Sequence, residues 1–493
     1  MKPTQHDLRD IARRVMIERG LQPEFPAAAI AETSALKEGA QTKDAHNTAA
    51  PVRDMRDRLW CSIDNDDSRD LDQLSVCEPL ASGAVKIFVA IADVDSLVKP
   101  GSAIDDHARW NTTSVYTAAG IFPMLPEKLS TDLTSLGEND ERLAMVVEMT
   151  VQADGAVSAS DIYRALVLNK SKLAYDSVAA WLDGTAPAPP RLAAVAGMDE
   201  QIRTQDRVAQ TMKKRRQARG ALDLDTLQTH AVFGGSGELS DLKQDTKNRA
   251  KTLIEDFMIA ANGVGAQFLD AKGYPSIRRV LHVPKRWDRI VDIASQLGEK
   301  LPAEPNALAL EQFLNRRRDA DPVRFPDLSL SIVKLLGSGE YAIQRPGTNL
   351  LAEGHFGLAV RDYTHSTAPN RRFPDLTTQR LVKAAVAGEK PPTDDSDLRA
   401  TAKHCTEQED NAAKVERQVQ KSAAAFLLAS RLGERFDGIV TGASDKGTWV
   451  RIFKPSVEGM VVQGAAGLDV GDHVQVELVR TDVQHGYIDF RRR

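Results

Sequence analysis

Cysteine is scarce in this 493-residue chain, which holds Cys61, Cys77 and Cys405 and no others. Three such scattered thiols exclude a disulfide framework and a cysteine-built zinc site, and they fit a reducing, cytoplasmic setting. No stretch approaches the ~20 consecutive apolar residues of a membrane span, and the first residues lack the pattern of a secretory leader. No membrane partner is expected. An excess of positive charge is also missing: 64 Lys and Arg against 69 Asp and Glu leave a formal net charge of -5. The total does not advertise nucleic-acid binding, but local patches govern phosphate contacts more than the total does. Such patches are present as "KKRR" at 213–216, "RR" at 278–279, "RRR" at 316–318, "RR" at 371–372 and the terminal "RRR".

The remaining composition, 42% hydrophobic and 27% charged, is that of an ordinary soluble protein with a sizeable core. At about 150 residues per domain the length predicts roughly three domains. In the first 50 residues, "DLRDIARRVMIER" sets Leu8, Ile11, Ala12, Val15 and Met16 on one helical face, and "PAAAIAETSALKEG" reads as a second short helix. A small helical N-terminal domain is expected there, ending in the polar "AQTKDAHNTAAP". Residues 51–430 mix strands and helices. "AVKIFVAIAD" is β-rich, a hairpin turns at Asp154-Gly155, "NRAKTLIEDFMIAANGVGAQFLDAKG" is a long helix closed by Gly273, and residues 396–432 are helical again. From 435 to 493 short strands punctuated by glycine turns predict a small barrel. The fold class is α+β.

"SIDNDDSRDLDQL" poses the chemical question, because Asp64, Asp66, Asp67, Asp70 and Asp72 crowd within nine positions. Like charges in a structured loop destabilise it unless a cation neutralises them. An EF-hand frame is ruled out, since its required Gly and Glu positions hold Arg69 and Ser75. A solvated acidic loop is the plain alternative, but the run is bracketed by the apolar "WCSI" and "LDQLSV". Magnesium or manganese suits the oxygen donors and leaves water positions open for phosphoryl chemistry. "HFGLAVRDYTHSTAPNRRFPDLTTQRLV" adds Tyr363, His365, Thr367, Arg371, Arg372 and Asp375. Pro369-Asn370 marks a helix start there, so the two arginines stand near a helix N-terminus, itself an anion site. Guanidinium forks grip phosphate. Metal on one side and guanidinium on the other describe a phosphodiester.

Six ordered blocks, "SIDNDDSRDLDQL", "VAIADVDSLVKPGSAIDDHAR", "TSVY…FPMLPEKLS", "RGALDLD", "LIEDFMIAAN" and "YTHSTAPNRRFPDL", resemble the RNB nuclease domain of the ribonuclease II / ribonuclease R family. The tail resembles the RNA-binding OB-fold named after ribosomal protein S-one. The resemblance implies processive, magnesium-dependent 3′→5′ hydrolysis of RNA to 5′-mononucleotides, acting on single-stranded 3′ ends. It places the family's four acidic positions on Asp64, Asp70, Asp72 and Gln73, the last an amide that brings no charge to the site. Asp72 is implied as the aspartate essential to chemistry, with Asp64 and Asp70 as ligands or orienters, and Arg371 as the holder of the scissile phosphate with Arg372 beside it. No Ser, Cys or His nucleophile is required.

Further positions carry recognition by the same resemblance. Tyr116 matches the aromatic that packs on the terminal base; Tyr175 and Asp256 match residues contacting sugar hydroxyls, which distinguish ribose from deoxyribose. Leu224 stands where the family has a stacking aromatic. The best-known members carry two cold-shock domains before the nuclease domain; the N-terminal helices here are expected to form either a helix-turn-helix-like RNA-binding module or a structural cap. A monomer is expected. The alternatives in function are a catalytically impaired RNA-binding protein, with Gln73 disabling the site, and an endoribonuclease using the same metal.

Overall fold

The structure, a computed structural model, describes residues 5–37, 51–225, 228–235, 239–245, 247–348 and 354–493. Helix α1 (Gln5–Glu18) buries Leu8, Ile11, Ala12, Val15 and Met16, the stripe its spacing predicts. It ends in a left-handed glycine cap. Gly20 has φ +77°, and Leu21 N donates to Met16 O at 2.9 Å while Gly20 N donates to Ile17 O at 3.0 Å. Helix α2 (Ala27–Ala35) follows. The polar tail read after it falls outside the described residues.

A seven-stranded sheet forms the centre. Strands β1 (Arg53–Asp54), β2 (Cys61–Asp64), β3 (Gln73–Pro79) and β4 (Val85–Ala92) come first, then helix α3 (Ala103–Asn111) and a two-stranded hairpin of β5 (Val115–Thr117) and β6 (Gly120–Phe122). Strands β7 (Glu141–Val151) and β8 (Val157–Leu168) form the hairpin at Asp154-Gly155, and β9 (Ser171–Ala174) completes the order β1-β8-β7-β4-β3-β2-β9. β4 is central and carries Ile87 to Ala92 buried without alternation, because helices cover the sheet. Those helices are α4 (Tyr175–Leu182), α5 (Met198–Gln217), the 23-residue α6 (Arg249–Ala271) and, later in the chain, the helix that opens at Phe373.

Before α6, β10 (Gln228–Phe233) and β11 (Leu239–Asp245) pair as a hairpin; after it, β12 (Ser276–Val280) and β13 (Glu340–Gln344) form a second two-stranded sheet. Between β12 and β13 lie α7 (Trp287–Gln296), α8 (Ala307–Ala320) and α9 (Phe325–Leu336), with a core of their own around Trp287, Ile290, Phe313 and Ile332. Helix α10 (Phe373–Ala387) then leads into α11 (Asp395–Leu428), 34 residues without interruption. At ~1.5 Å per residue α11 is roughly 51 Å long.

The chain ends in a closed five-stranded barrel of β14 (Arg435–Ser444), β15 (Gly447–Ile452), β16 (Val457–Gln463), β17 (His473–Asp482) and β18 (Tyr487–Arg492). Its order β14-β15-β16-β18-β17, closed between β17 and β14 and parallel only at β16–β18, is the OB topology. The barrel core continues onto α11 through Ala424, Ala425 and Leu428.

The N-terminal helices do not stand apart. The apolar face of α1 shares one cluster with Val115, Ala119 and Phe122 of the β5–β6 hairpin and with Ala412, Val415, Val419 and Ala423 of α11. Asn111, at the end of α3, clasps Gln22 by donating to its carbonyl at 2.8 Å and accepting from its N–H at 2.9 Å. This packing ties α1 to the hairpin and to α11.

Candidate functional site

The acidic loop is placed by strand register. β2 runs parallel to β9 with Asp64 opposite Ala174, so Asp64 comes to lie beside Tyr175, the first residue of α4. Asp64 Oδ1 accepts hydrogen bonds from Asn65 N at 2.7 Å and Ser68 Oγ at 2.9 Å, a turn built by the carboxylate itself. The far end of the loop is pinned at Leu71, whose N–H donates to Ser135 Oγ at 3.0 Å and whose carbonyl accepts from Leu136 N at 2.9 Å. Asp72 O accepts from Ala92 N at 3.0 Å, which joins the loop to β4.

The arginine segment is held from three sides. Asp375 Oδ1 accepts from Thr367 N and Ala368 N at 2.8 and 2.9 Å, an anchor at the first turn of α10. Asn262 of α6 accepts from Ser366 N at 2.8 Å. Ser114 N donates to Arg371 O at 3.0 Å, and Phe373 N to Thr112 O at 2.8 Å. Thr112 to Ser114 lead directly into β5, so the backbone that carries Arg371 is stitched to the backbone that carries Tyr116.

These elements enclose a cleft of about 560 Å³. Asp64, Asp70, Gln73, Thr367, Arg371, Tyr116 and Tyr175 all line it. Asp72 sits just behind, buried, with Arg371 Nε donating to its Oδ2 at 2.9 Å and Asn370 N to its Oδ1 at 3.2 Å. Burial pushes the Asp72 carboxyl up to about 6, and Asp70 adds to the shift against the pull of Arg371. Asp70 is also raised, by burial and by the charges of Asp64 and Asp67. Arg371 is held firmly protonated by Asp72 in spite of its own burial. Such shifts mark carboxylates that lack a neutralising charge.

The donor set is all oxygen, three carboxylates and the Gln73 amide, and suits a hard cation. Among the described residues no three His, Cys, Asp or Glu side chains are gathered as a preformed metal cluster. Asp72 leans instead on Arg371.

Two residues that the resemblance assigns to RNA contact lie off the cleft. Asp256 is fully buried on α6 and ion-paired with Arg216, while Ile254 and Met258, one turn apart, supply the helix face that lines the wall. The 256 side chain points away from that face, toward Arg216. Arg372 donates to Asp375 at 2.8 Å and is not part of the lining. Leu224 packs against the α7–α9 core, away from the cleft. Tyr363 and His365 are internal as well; Tyr341 Oη and His365 Nδ1 lie 2.9 Å apart beneath the arginine segment.

One contact was not visible in the pattern of the sequence. Glu416, in the middle of α11, accepts from Tyr116 N at 2.8 Å and is pushed up by burial. It is separated from Tyr116 by 300 positions and sits in a charged helical stretch without any local signal.

An α+β core with an oxygen-donor cleft that also holds an arginine, followed by an OB barrel, defines an RNB-type architecture. Residues 52–388 match the family model for the RNB domain, and residues 434–493 match the RNase II-type exonuclease C-terminal S1 domain. The chain belongs to the RNB family. Ribonuclease R of Thermotoga maritima is 30% identical over 504 residues, covering 95% of this chain and 68% of that protein. Ribonuclease R of Escherichia coli is 30% identical over 423 residues, 83% of this chain and 51% of that protein. For Ribonuclease R 1 of Lactococcus lactis the identity is 27%, over 97% and 60%. The chain thus spans about half to two thirds of the length of the curated relatives it matches. Among solved structures, Mycoplasma genitalium RNase R in complex with ribose-methylated single-stranded RNA shares the fold with a TM-score of 0.86 at 22% identity, over 99% of this chain and 78% of that one. Yeast Ssd1, a pseudonuclease, shares it at 0.71 and 15% identity, over 96% and 57%.

Proposed function

We propose that the chain is a metal-dependent 3′→5′ exoribonuclease that hydrolyses single-stranded RNA to 5′-mononucleotides, working as a cytoplasmic monomer. The observation that carries this reading is the gathering of Asp64, Asp70, Gln73, Arg371, Tyr116 and Tyr175 around one cleft. Asp64, Asp70, Asp72 and the Gln73 amide would hold Mg²⁺, or Mn²⁺. When bound, the cation polarises the phosphoryl oxygens and lowers the pKa of a water to make the nucleophile. Arg371 grips the scissile phosphate and stabilises the charge that builds on its oxygens. To do so it must share its guanidinium between phosphate and Asp72. Asp72, released in part from Arg371, is free to act as a ligand. Tyr116 packs on the terminal base, and Tyr175 accepts or donates to the ribose hydroxyl.

The family relationship to proteins named ribonuclease R and the cleft chemistry support this reading. The test is a uniformly labelled RNA, free or blocked at its 3′ end, incubated with Mg²⁺ or Mn²⁺. Mononucleotides from the free RNA alone are expected. Internal cuts in circular RNA would point to an endonuclease. A second reading is favoured by Gln73, by the absence of a preformed metal cluster among the described residues, and by the shared fold of a pseudonuclease. It is an RNA-binding protein without hydrolysis, and binding with no product under either metal would establish it.

A further inference from the structure

The β5–β6 hairpin is too short to hold its own shape. Two strands of three residues, closed at Thr117–Gly120, are marginal in water without outside support. Support comes from α1. Val115, Ala119 and Phe122 are buried in the same cluster as Leu8, Ile11, Ala12, Val15 and Met16. Gln5 Nε2 donates to Ala119 O at 3.1 Å, at the turn of the hairpin. The Arg9 guanidinium lies over the Phe122 ring, 4.7 Å from its centroid. A Cβ added at Gly120, whose φ is +134°, would meet Arg9 Nη1 at 3.1 Å, so arginine and hairpin tip are in close contact. On the hairpin's other edge Glu416 holds Tyr116 N. Tyr116 points from this supported hairpin into the cleft, 42% exposed.

We infer that helix α1 is part of the substrate-gripping apparatus: Arg9 and Gln5 are positioning residues that fix the angle at which Tyr116 meets the terminal base. This rests on the proposed role of Tyr116 in base packing. The N-terminal unit then contributes to RNA binding without touching RNA. Its polar outer face needs no groove or phosphate contact for the purpose.

The test uses the full chain with Asp72→Asn, so that RNA is bound and not consumed, and reads anisotropy of a labelled single-stranded RNA. Arg9→Ala is expected to weaken binding about two- to five-fold, the scale of one exposed cation–π contact. Arg9→Lys, which keeps a cation over Phe122, should restore most of it. Gln5→Ala provides a second, milder lesion in case Arg9→Ala unfolds α1, and a thermal melt identifies that case. The decisive comparison is with Tyr116→Ala. Residues that act through one another are non-additive. Arg9→Ala or Gln5→Ala should therefore add nothing once Tyr116 is alanine. Full additivity in the double variants, or unchanged binding on loss of Arg9 and Gln5 while Tyr116→Ala weakens it, overturns the inference. Unchanged binding in Tyr116→Ala itself removes the tyrosine from base packing and takes the inference down with it. Neither result depends on whether the chain hydrolyses RNA.

Discussion

Asp72 accepts at both oxygens, from Asn370 N and from Arg371 Nε, so an amide of the same shape keeps one of the two bonds, turns its NH2 toward the other donor and loses the charge. Asp72→Asn is expected to reduce hydrolysis by roughly a hundred-fold or more, the scale of one preorganised electrostatic contact at a reacting centre. RNA binding should persist, and single-turnover rates beside equilibrium binding will show the separation. Asp256 makes the opposite case. Its partner Arg216 is half-buried, with its pKa lowered by burial; Asp256→Ala leaves that guanidinium without its buried carboxylate partner. A loss of about 3–5 kcal/mol is expected, read as a lower melting temperature, without a change in preference between ribose and deoxyribose. Tyr175→Phe should instead narrow that preference at little cost in stability. Density of aspartate made the first site legible in the sequence. The turn of α6 that swings residue 256 away from the cleft was not legible, because the burial of both helix faces erases the amphipathic signal at that point.

Helix α3 and the chain from Gly20 to Phe25 meet around a histidine that stays neutral. Asn111 Nδ2 approaches His107 Nε2 at 3.3 Å, and since that amide nitrogen donates, Nε2 must be the bare acceptor while Nδ1 donates to Gln22 Oε1 at 3.2 Å. The Phe25 ring lies 4.4 Å from the imidazole. Burial lowers the His107 pKa to about 4 from 6.5. Between those values the unfolded chain binds a proton that the folded one refuses, so stability falls as pH falls. The contact is intact above about 6.5 and is lost toward 4, with at most about 3 kcal/mol at stake. Hydrogen-exchange protection factors of residues 5–37 should fall as pH drops across that window, and His107→Gln should flatten the dependence. Helix positions such as the α1 stripe and the Asp154-Gly155 hairpin could be read from periodicity and turn chemistry, which are local. The docking of α1 on α11, 400 positions away, could not.

Across the whole molecule, the barrel is joined to the rest by half-buried charge as well as by apolar contact. Glu458 on β16 meets Lys334 of α9 at 3.5 Å and Lys421 of α11 at 3.2 Å, and accepts from Thr441 Oγ1 at 2.8 Å. Against the effect of burial, the two lysines hold its carboxyl down to about 2. Its contribution is present above the ordinary glutamate pKa of about 4.5 and is lost as pH falls toward 2. Arg289 adds bonds to Val470 O at 2.6 and 2.9 Å. Glu458→Gln is expected to loosen the barrel and speed proteolysis between residues 428 and 435. Long RNA should then bind more weakly, with turnover of short oligomers little changed. At this scale several basic clusters of the sequence resolve into ion pairs. Lys213, Arg215 and Arg216 pair with Asp223, Asp154 and Asp256; Arg278 and Arg279 pair with Asp362 and Glu409; Arg491 and Arg493 share Glu477. A run of like charge records only one half of an ion pair, and the other half lies elsewhere in the chain.

Helix α11 touches both ends of the working molecule, with Glu416 on the Tyr116 hairpin and Ala424, Ala425 and Leu428 in the barrel. Because the path from 416 to 424 is unbroken helix, its length is also a phase. One residue removed there would rotate the barrel by about 100° about the helix axis and draw it in by about 1.5 Å. Loops between other elements can lengthen or shorten in evolution by taking up slack. This stretch has none, so insertions and deletions within it should be purged from functional descendants, except those adding or removing whole turns.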